Sequence, residues 1–252
     1  MGFINADGHL YETKRNRGKL SIELRREDRP LLEELGKISG QSYSIYDRER
    51  DTNYKKNYKS SILCIFDLVF RKFIKTLGMV AGKKDRTIKP PEDIIISDYI
   101  RGYIDGNGSV GFTAKNVPII SVTTNSDFIK ELILKHIQKI TGKHKDINRN
   151  KRDGVYNIAL TAEDAVAYVT SLYNNSTIAL ERKKTKALKV MSWKRPSYIR
   201  RVPNKKFWTT EQDNFILSHN MEESCKKLDR SFRSVQLRLW RLKKNLNNSQ
   251  NG

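Results

Sequence analysis

Hydrophobic and polar positions along this chain follow one order of patterns twice, the second about one hundred residues after the first. In the first half Leu20-Ser21-Ile22-Glu23-Leu24 alternates with period two, the mark of a strand with one buried face. Asp28 then opens a helical pattern that ends at Lys37-Ile38-Ser39-Gly40. In the second half Ile119-Ile120-Ser121-Val122 is followed by Asp127 and a helical pattern ending Lys139-Ile140-Thr141-Gly142. Tyr58-Lys59-Ser60-Ser61-Ile62-Leu63 parallels Val155-Tyr156-Asn157-Ile158-Ala159-Leu160, and a second helix and a basic pair close each half, Lys83-Lys84 and Lys183-Lys184. Strands are predicted at Leu20 to Arg25 and Ser42 to Arg48, and again at Pro118 to Thr123 and Asp146 to Asn148. The expected fold class is α+β, with two pseudo-symmetric αββαββα repeats carrying antiparallel sheets.

Ahead of each strand series stands a heptad. Gly2-Phe3-Ile4-Asn5-Ala6-Asp7-Gly8 recurs as Gly102-Tyr103-Ile104-Asp105-Gly106-Asn107-Gly108. Each heptad reads as the end of the repeat's first helix. Gly2 and Ala6, like Gly102 and Gly106, lie four apart and share a helical face. Small residues there let two helices approach closely. The glycine after each polar residue suits a left-handed helix cap. The copies differ where a carboxylate matters: Asp7 in one, Asn107 in the other. Asp105 stands two residues earlier, on the opposite side of its helix, and cannot replace it.

Residues 1–92 form the first repeat, ended by Pro90-Pro91, and residues 93–192 the second. Residues 193–206 read as an extended basic linker. Residues 207–246 read as a small three-helix domain. Thr209-Thr210-Glu211-Gln212 fits a capping box, Asn220 with Glu223 fits a second cap, and Ser231 a third. Val235, Leu239 and Leu242 form the inner face of the last helix. Arg233, Gln236, Arg238, Arg241 and Lys243 form its outer side, the layout of a helix-turn-helix DNA reader. The tail from Asn247 to Gly252 is expected to be disordered.

Charge sharpens this picture. The 252 residues carry a formal net charge of +21, and a surplus of that size favours a polyanionic partner. The segments Asp47–Asn57 and Arg149–Gly154, between strands, are basic and polar. Candidate DNA contacts are Arg15, Arg17, Lys19, Arg48, Arg50, Lys55, Lys56, Lys59, Lys115, Arg149, Lys151 and Arg152, with Arg200 and Arg201 in the linker. Arg233, Gln236, Arg238 and Arg241 complete the set. No run of 18 or more apolar residues exists, no amphipathic helix has a basic and a Leu/Phe-rich side, and no signal peptide is visible. A cytoplasmic protein, encoded by a bacterium or phage, is expected. Cys64 and Cys225 make no disulfide framework or zinc site. His9, His136, His144 and His219 lack the spacing of a metal site or catalytic dyad.

The paired heptads resemble the LAGLIDADG homing endonuclease motif, in its single-chain, two-repeat form. Residues 2–8 stand for the last seven positions of the nine-residue motif, and Ile100-Arg101-Gly102-Tyr103-Ile104-Asp105-Gly106-Asn107-Gly108 for all nine. The resemblance covers about residues 1–192. It implies a monomer in which the two motif helices pack on a pseudo-twofold axis and saddle-shaped sheets straddle double-stranded DNA. It also implies Mg²⁺ bound by the last acidic residue of each motif, so Asp7 and Asn107 are the candidate metal ligands and catalytic positions. A basic residue near the end of each repeat is implied too, matched by Lys83 and Lys183, with Lys84 and Lys184 as alternatives. The residues 207–246 resemble Myb/SANT-like modules through Trp208 and Ser231 to Trp240. The chemistry agrees, because phosphodiester cleavage needs a positioned water, charge stabilisation and nearby cations. Mg²⁺ takes hard oxygens and often only one or two carboxylates, and a helix C-terminus adds negative potential. The expected function is Mg²⁺-dependent site-specific DNA cleavage that mobilises an intron, intein or free-standing gene. It is impaired or single-stranded because Asn107 brings no charge. The alternatives are a non-cleaving DNA-binding regulator and an RNA-binding intron maturase.

Overall fold

The computed structural model describes all residues except 54–55, 83–86, 198, 200–207 and 251–252, and for 244–250 it describes the backbone. The chain divides into two compact units, Met1–Arg195 and Pro196–Gly252.

In the first unit the opening half runs α1 (Gly2–Asp7), β1 (Gly8–Glu12), β2 (Gly18–Arg25), α2 (Arg29–Ile38), β3 (Tyr43–Arg50), β4 (Tyr58–Ile65) and α3 (Leu68–Thr76). This is the αββαββα order that the repeated patterns predict. Its four strands form an antiparallel sheet in the order β1-β2-β4-β3. The second half runs α4 (Ile96–Asn107), β5 (Gly108–Phe112), β6 (Pro118–Thr124), α5 (Asp127–Thr141), β7 (Tyr156–Thr161), α6 (Ala162–Tyr173) and α7 (Glu181–Met191). Its sheet has the order β5-β6-β7.

The strand predicted at Asp146 to Asn148 does not form. Only Ile147 there is apolar, and Asp and Asn are poor strand residues. Side chains bind the neighbouring backbone instead: Lys145 Nζ donates to Ala159 O at 3.1 Å, and Arg149 donates to Asn125 O and Gly154 O at 3.1 and 2.8 Å. The second half also has a helix, α7, beyond the predicted order.

The left-handed cap expected after each heptad is absent as well. Gly8 and Gly108 are extended, with φ of −66° and −127°, and lead straight into β1 and β5. Glycine is needed there for space. A Cβ on Gly8 would lie 2.6 Å from Ile4 O, and one on Gly108 would lie 2.6 Å from Ser121 O. Asp28 does not cap α2 with its side chain; it accepts from Arg182 Nε at 3.0 Å. Ser126 does cap α5, accepting from Ile129 N at 3.2 Å.

Strand alternation puts Leu20, Ile22 and Leu24 into the first core and Ile120 and Val122 into the second. The two cores interlock. Ile88, near the end of the first half, packs in the second core, and Leu180, at the start of α7, packs in the first. Ser126 Oγ donates to Ile88 O at 2.6 Å and holds that crossing. Of the two free cysteines, Cys64 is buried and Cys225 is half-buried.

In the second unit the three predicted helices appear as α8 (Thr210–Ser218), α9 (Met221–Leu228) and α10 (Phe232–Gln250). Their caps match the predicted ones. Thr209 accepts from Gln212 N at 3.3 Å, Asn220 from Glu223 N at 2.9 Å, and Ser231 from Ser234 N at 3.4 Å. Ile216 and Val235 are buried, and Leu239 and Leu242 are partly covered.

Candidate active site and nucleic-acid interface

Helices α1 and α4 pack backbone to backbone through the small residues of the heptads. A Cβ on Gly2 would fall 1.9 Å from Tyr99 O, and one on Gly102 would fall 2.9 Å from Phe3 N. At the C-terminal end a Cβ on Gly106 would meet Ala6 Cβ at 2.4 Å and Asp7 Cγ at 3.4 Å. The Asp7 carboxyl therefore lies against Gly106 of the facing helix, one residue from Asn107. Both side chains are half-buried. Asn107 lines a cavity of about 230 Å³ whose polar wall is Asn5, Tyr103, Thr123, Thr124 and Asn125.

The two heptads each retain one carboxylate, at non-equivalent places. Asp105 is 3 % exposed and faces into the second core, as its spacing from Asn107 predicts. It accepts from Tyr173 Oη at 2.6 Å and from Leu180 N at 2.9 Å. Burial pushes its carboxyl above the usual carboxylate range, opposed by those two hydrogen bonds. Its counterpart Asn5 is fully buried and donates from Nδ2 to Tyr99 Oη at 2.8 Å.

Lys183 takes a different position from that of a cation exposed to substrate. It is 4 % exposed, and its ammonium donates to Ile104 O, Asp105 O and Gly108 O at 2.8, 2.6 and 2.7 Å. A helix leaves its last carbonyls without intrahelical partners, and Lys183 satisfies that end of α4. Burial lowers its pKa to about 8, with the charge of Asp105 the first opposing influence and those of Asp7 and Asp28 following. Lys184 turns away and donates to Ser176 O at 2.9 Å. Lys83 and Lys84 lie outside the described residues.

Strand register sorts the basic residues by face. In the first sheet Leu20, Ile22 and Leu24 face the core, so Lys19, Glu23 and Arg25 share the opposite face. Tyr46, Arg48 and Arg50 from β3 share it too, by the β2–β4 and β3–β4 pairings. Arg25 was not among the predicted contacts, although its alternation with Lys19 signals the same face. Arg50 pairs with Glu23 at 3.2 Å. Lys59 has core-side parity and pairs with Glu49 at 3.5 Å. Arg15 and Arg17 stand exposed between β1 and β2, Lys56 between β3 and β4, and Lys115 between β5 and β6. Lys151 and Arg152 are exposed, and Arg152 pairs with Asp153 at 2.9 Å. Arg149 is committed inward: besides its two carbonyls it binds Asp127 at 2.8 Å and lies over the Tyr156 ring. Lys55, Arg200 and Arg201 lie outside the described residues.

In the second unit Arg233, Gln236, Arg241 and Lys243 are exposed on α10. Arg238 departs from the expected outer face. Its guanidinium grips Asp213 of α8 at 2.7 and 2.5 Å and braces one helix against another. Arg230 stacks over Trp208, 4.3 Å from the ring centre.

No family model matches the sequence, and no curated protein does. Solved structures match over about three quarters of the chain. The homing endonuclease I-WcaI bound to its DNA recognition sequence is 14% identical, with a TM-score of 0.51 over 74% of this chain and 82% of that one. The fold is that of the LAGLIDADG homing endonucleases. The LAGLIDADG homing endonuclease I-LtrWI bound to target DNA is 11% identical, with a TM-score of 0.46 over 75% of this chain and 87% of that one. Mesophilic variants of I-DmoI are 15% identical, with a TM-score of 0.48 over 75% and 93%. At such identities the likeness is one of fold, and the chemistry of this LAGLIDADG-fold chain rests on its own residues.

Among the described residues no group of three or more His, Cys, Asp or Glu side chains is placed to hold a metal alone. Asp7 and Asn107 offer a hard carboxylate oxygen and a hard amide oxygen at adjoining helix ends. That donor set fits Mg²⁺, which completes its shell with water and substrate phosphate. No helix among the described residues is long and apolar enough to cross a membrane.

Proposed function

We propose that this chain is a site-specific DNA endonuclease of the homing type that works with Mg²⁺. The observation that carries the reading is the helix pair, whose small residues bring the Asp7 carboxyl against Gly106, one residue from Asn107. Mg²⁺ held by Asp7 and Asn107 would stabilise charge on the attacking and leaving oxygens of a phosphodiester. Asp7 contributes the charge of the site and Asn107 a neutral oxygen. Lys183 fixes the end of α4 and with it the place of Asn107. The basic face of the first sheet and the exposed loop residues Arg15, Arg17, Lys56, Lys115, Lys151 and Arg152 hold the phosphate backbone. The exposed side of α10, with Arg233, Gln236 and Arg241, adds DNA contacts of the second unit.

The site is charged on one side only, so nicking is expected to outrun double-strand cleavage. The same observation favours a second reading, a DNA-binding regulator that does not cut. Supercoiled plasmid carrying the gene's flanking DNA separates the two. Mg²⁺-dependent conversion to the nicked form, abolished by Asp7→Asn, supports the endonuclease. Retarded but intact DNA under the same conditions supports the regulator.

A further inference from the structure

The two sheets present different chemistry on their core-averted faces. The face of the first carries Lys19, Arg25, Arg48 and Arg50 against a single acid, Glu23. The matching face of the second carries Ser109, Ser121, Thr123, Asn157, Ala159 and Thr161, all uncharged. Cations beside this face must therefore come from outside the sheet.

Helix α7 packs against β5. Ala187 and Val190 are buried in the second core, which turns Lys186 and Lys189 outward. These two lie three residues apart, on one helical face. With Ser109, Gly111 and Ile119 they enclose a groove of about 350 Å³. Gly111 opens it: a Cβ there would approach only Lys186 Cδ, at 3.8 Å. Both lysines are exposed and neither is in an ion pair among the described residues. In the first half the same side of edge strand β1 is taken by residues 81–82 instead. Ala81 bridges Leu10, and Gly82 N donates to Leu10 O at 3.0 Å.

We propose that Lys186 and Lys189 are further phosphate-backbone contacts of the second half, beside those of its loops. Duplex DNA would lie over an uncharged floor of hydroxyl and amide groups and be clamped at its rim by α7. This rests on the DNA-binding reading above. In the first half charge and base-facing groups share one sheet face, whereas here they are separated between helix and sheet. The two lysines would therefore supply affinity without sequence preference.

The test is the salt dependence of binding to a specific and a random duplex, by gel retardation between 50 and 200 mM salt. The proteins are the parent, Lys186→Gln/Lys189→Gln and Lys186→Arg/Lys189→Arg. Each phosphate contact adds about 0.9 to the slope of log affinity against log salt. The glutamine pair should therefore lower that slope by about 2 and weaken both duplexes about fifty-fold at 0.1 M salt, leaving their ratio unchanged. The arginine pair should keep the parent slope. An unchanged slope in the glutamine pair, a changed specific-to-random ratio, or an arginine pair that behaves like the glutamine pair overturns the proposal. A parent that binds neither duplex overturns the DNA-binding reading itself.

Discussion

Lys183→Met isolates the interaction that holds the end of the second motif helix. Methionine keeps the apolar stem of this residue, which is 4 % exposed, and removes the ammonium that makes three bonds of 2.6 to 2.8 Å. Its loss leaves buried carbonyls at the end of α4 short of a donor, at about 1–3 kcal/mol for each polar group left unsatisfied. Against this stands the cost of burying the charge, about 3 kcal/mol at pH 7 for a pKa lowered from 10.5 to about 8. The variant should lose roughly 3 kcal/mol at pH 7, or a melting midpoint lower by about 6–12 °C for a unit of this size. The pH dependence is the sharper test. Below pH 8 the folded protein bears the full cost of the buried charge. Between pH 8 and 10.5 the unfolded chain holds a proton that the folded chain has released, so parent stability rises with pH. Methionine has no such rise. Urea unfolding of both proteins should show the gap between them widening by about 2 kcal/mol from pH 8 to pH 10. A gap that stays flat or narrows over that range would refute the account of Lys183 as a cation buried at net electrostatic cost.

Other outcomes follow from the same geometry. Gly2→Ala places a methyl group 1.9 Å from Tyr99 O. The helices must part, and calorimetry should show a loss of about 2 kcal/mol or more, with plasmid nicking lost and DNA retardation kept. Asn107→Asp should raise Mg²⁺-dependent nicking. In chelator its melting midpoint should fall, because two carboxylates then meet at two helix C-termini, and Mg²⁺ should restore it. A variant that cuts no better than the parent would remove the lost carboxylate as the cause of weak cleavage. Arg238→Met breaks the brace to Asp213 and should destabilise the second unit by about 1–2 kcal/mol. Hydrogen exchange in α8 and α10 should quicken while the first unit is unchanged.

The repeated order of elements was legible because each strand and helix carries its own period. Leu20, Ile22 and Leu24 announce a buried face without any knowledge of what covers it, and Thr209, Asn220 and Ser231 mark helix starts by local bonding alone. The strand predicted at Asp146–Asn148 fails because the parallel with the other half is outweighed by the composition of those three residues. The side chains of Lys145 and Arg149, which satisfy the backbone there, give no periodic signal. Arg149 and Arg238 illustrate a related blind spot. As letters they are surface cations, and only the folded chain brings Asp127 and Asp213 within reach.

From the sequence alone came the duplication, the close helix pairing through Gly2, Ala6, Gly102 and Gly106, and the inequality of Asp7 and Asn107. These are properties of residue type and spacing, which local chemistry reads directly. The tertiary structure decided what Lys183 does, that α7 rather than the second sheet offers cations to its outer face, and that each core receives a residue from the other half. Such assignments depend on which groups lie within a few ångströms after the chain has folded. That distance is set by packing between segments dozens of residues apart, so no local pattern carries it.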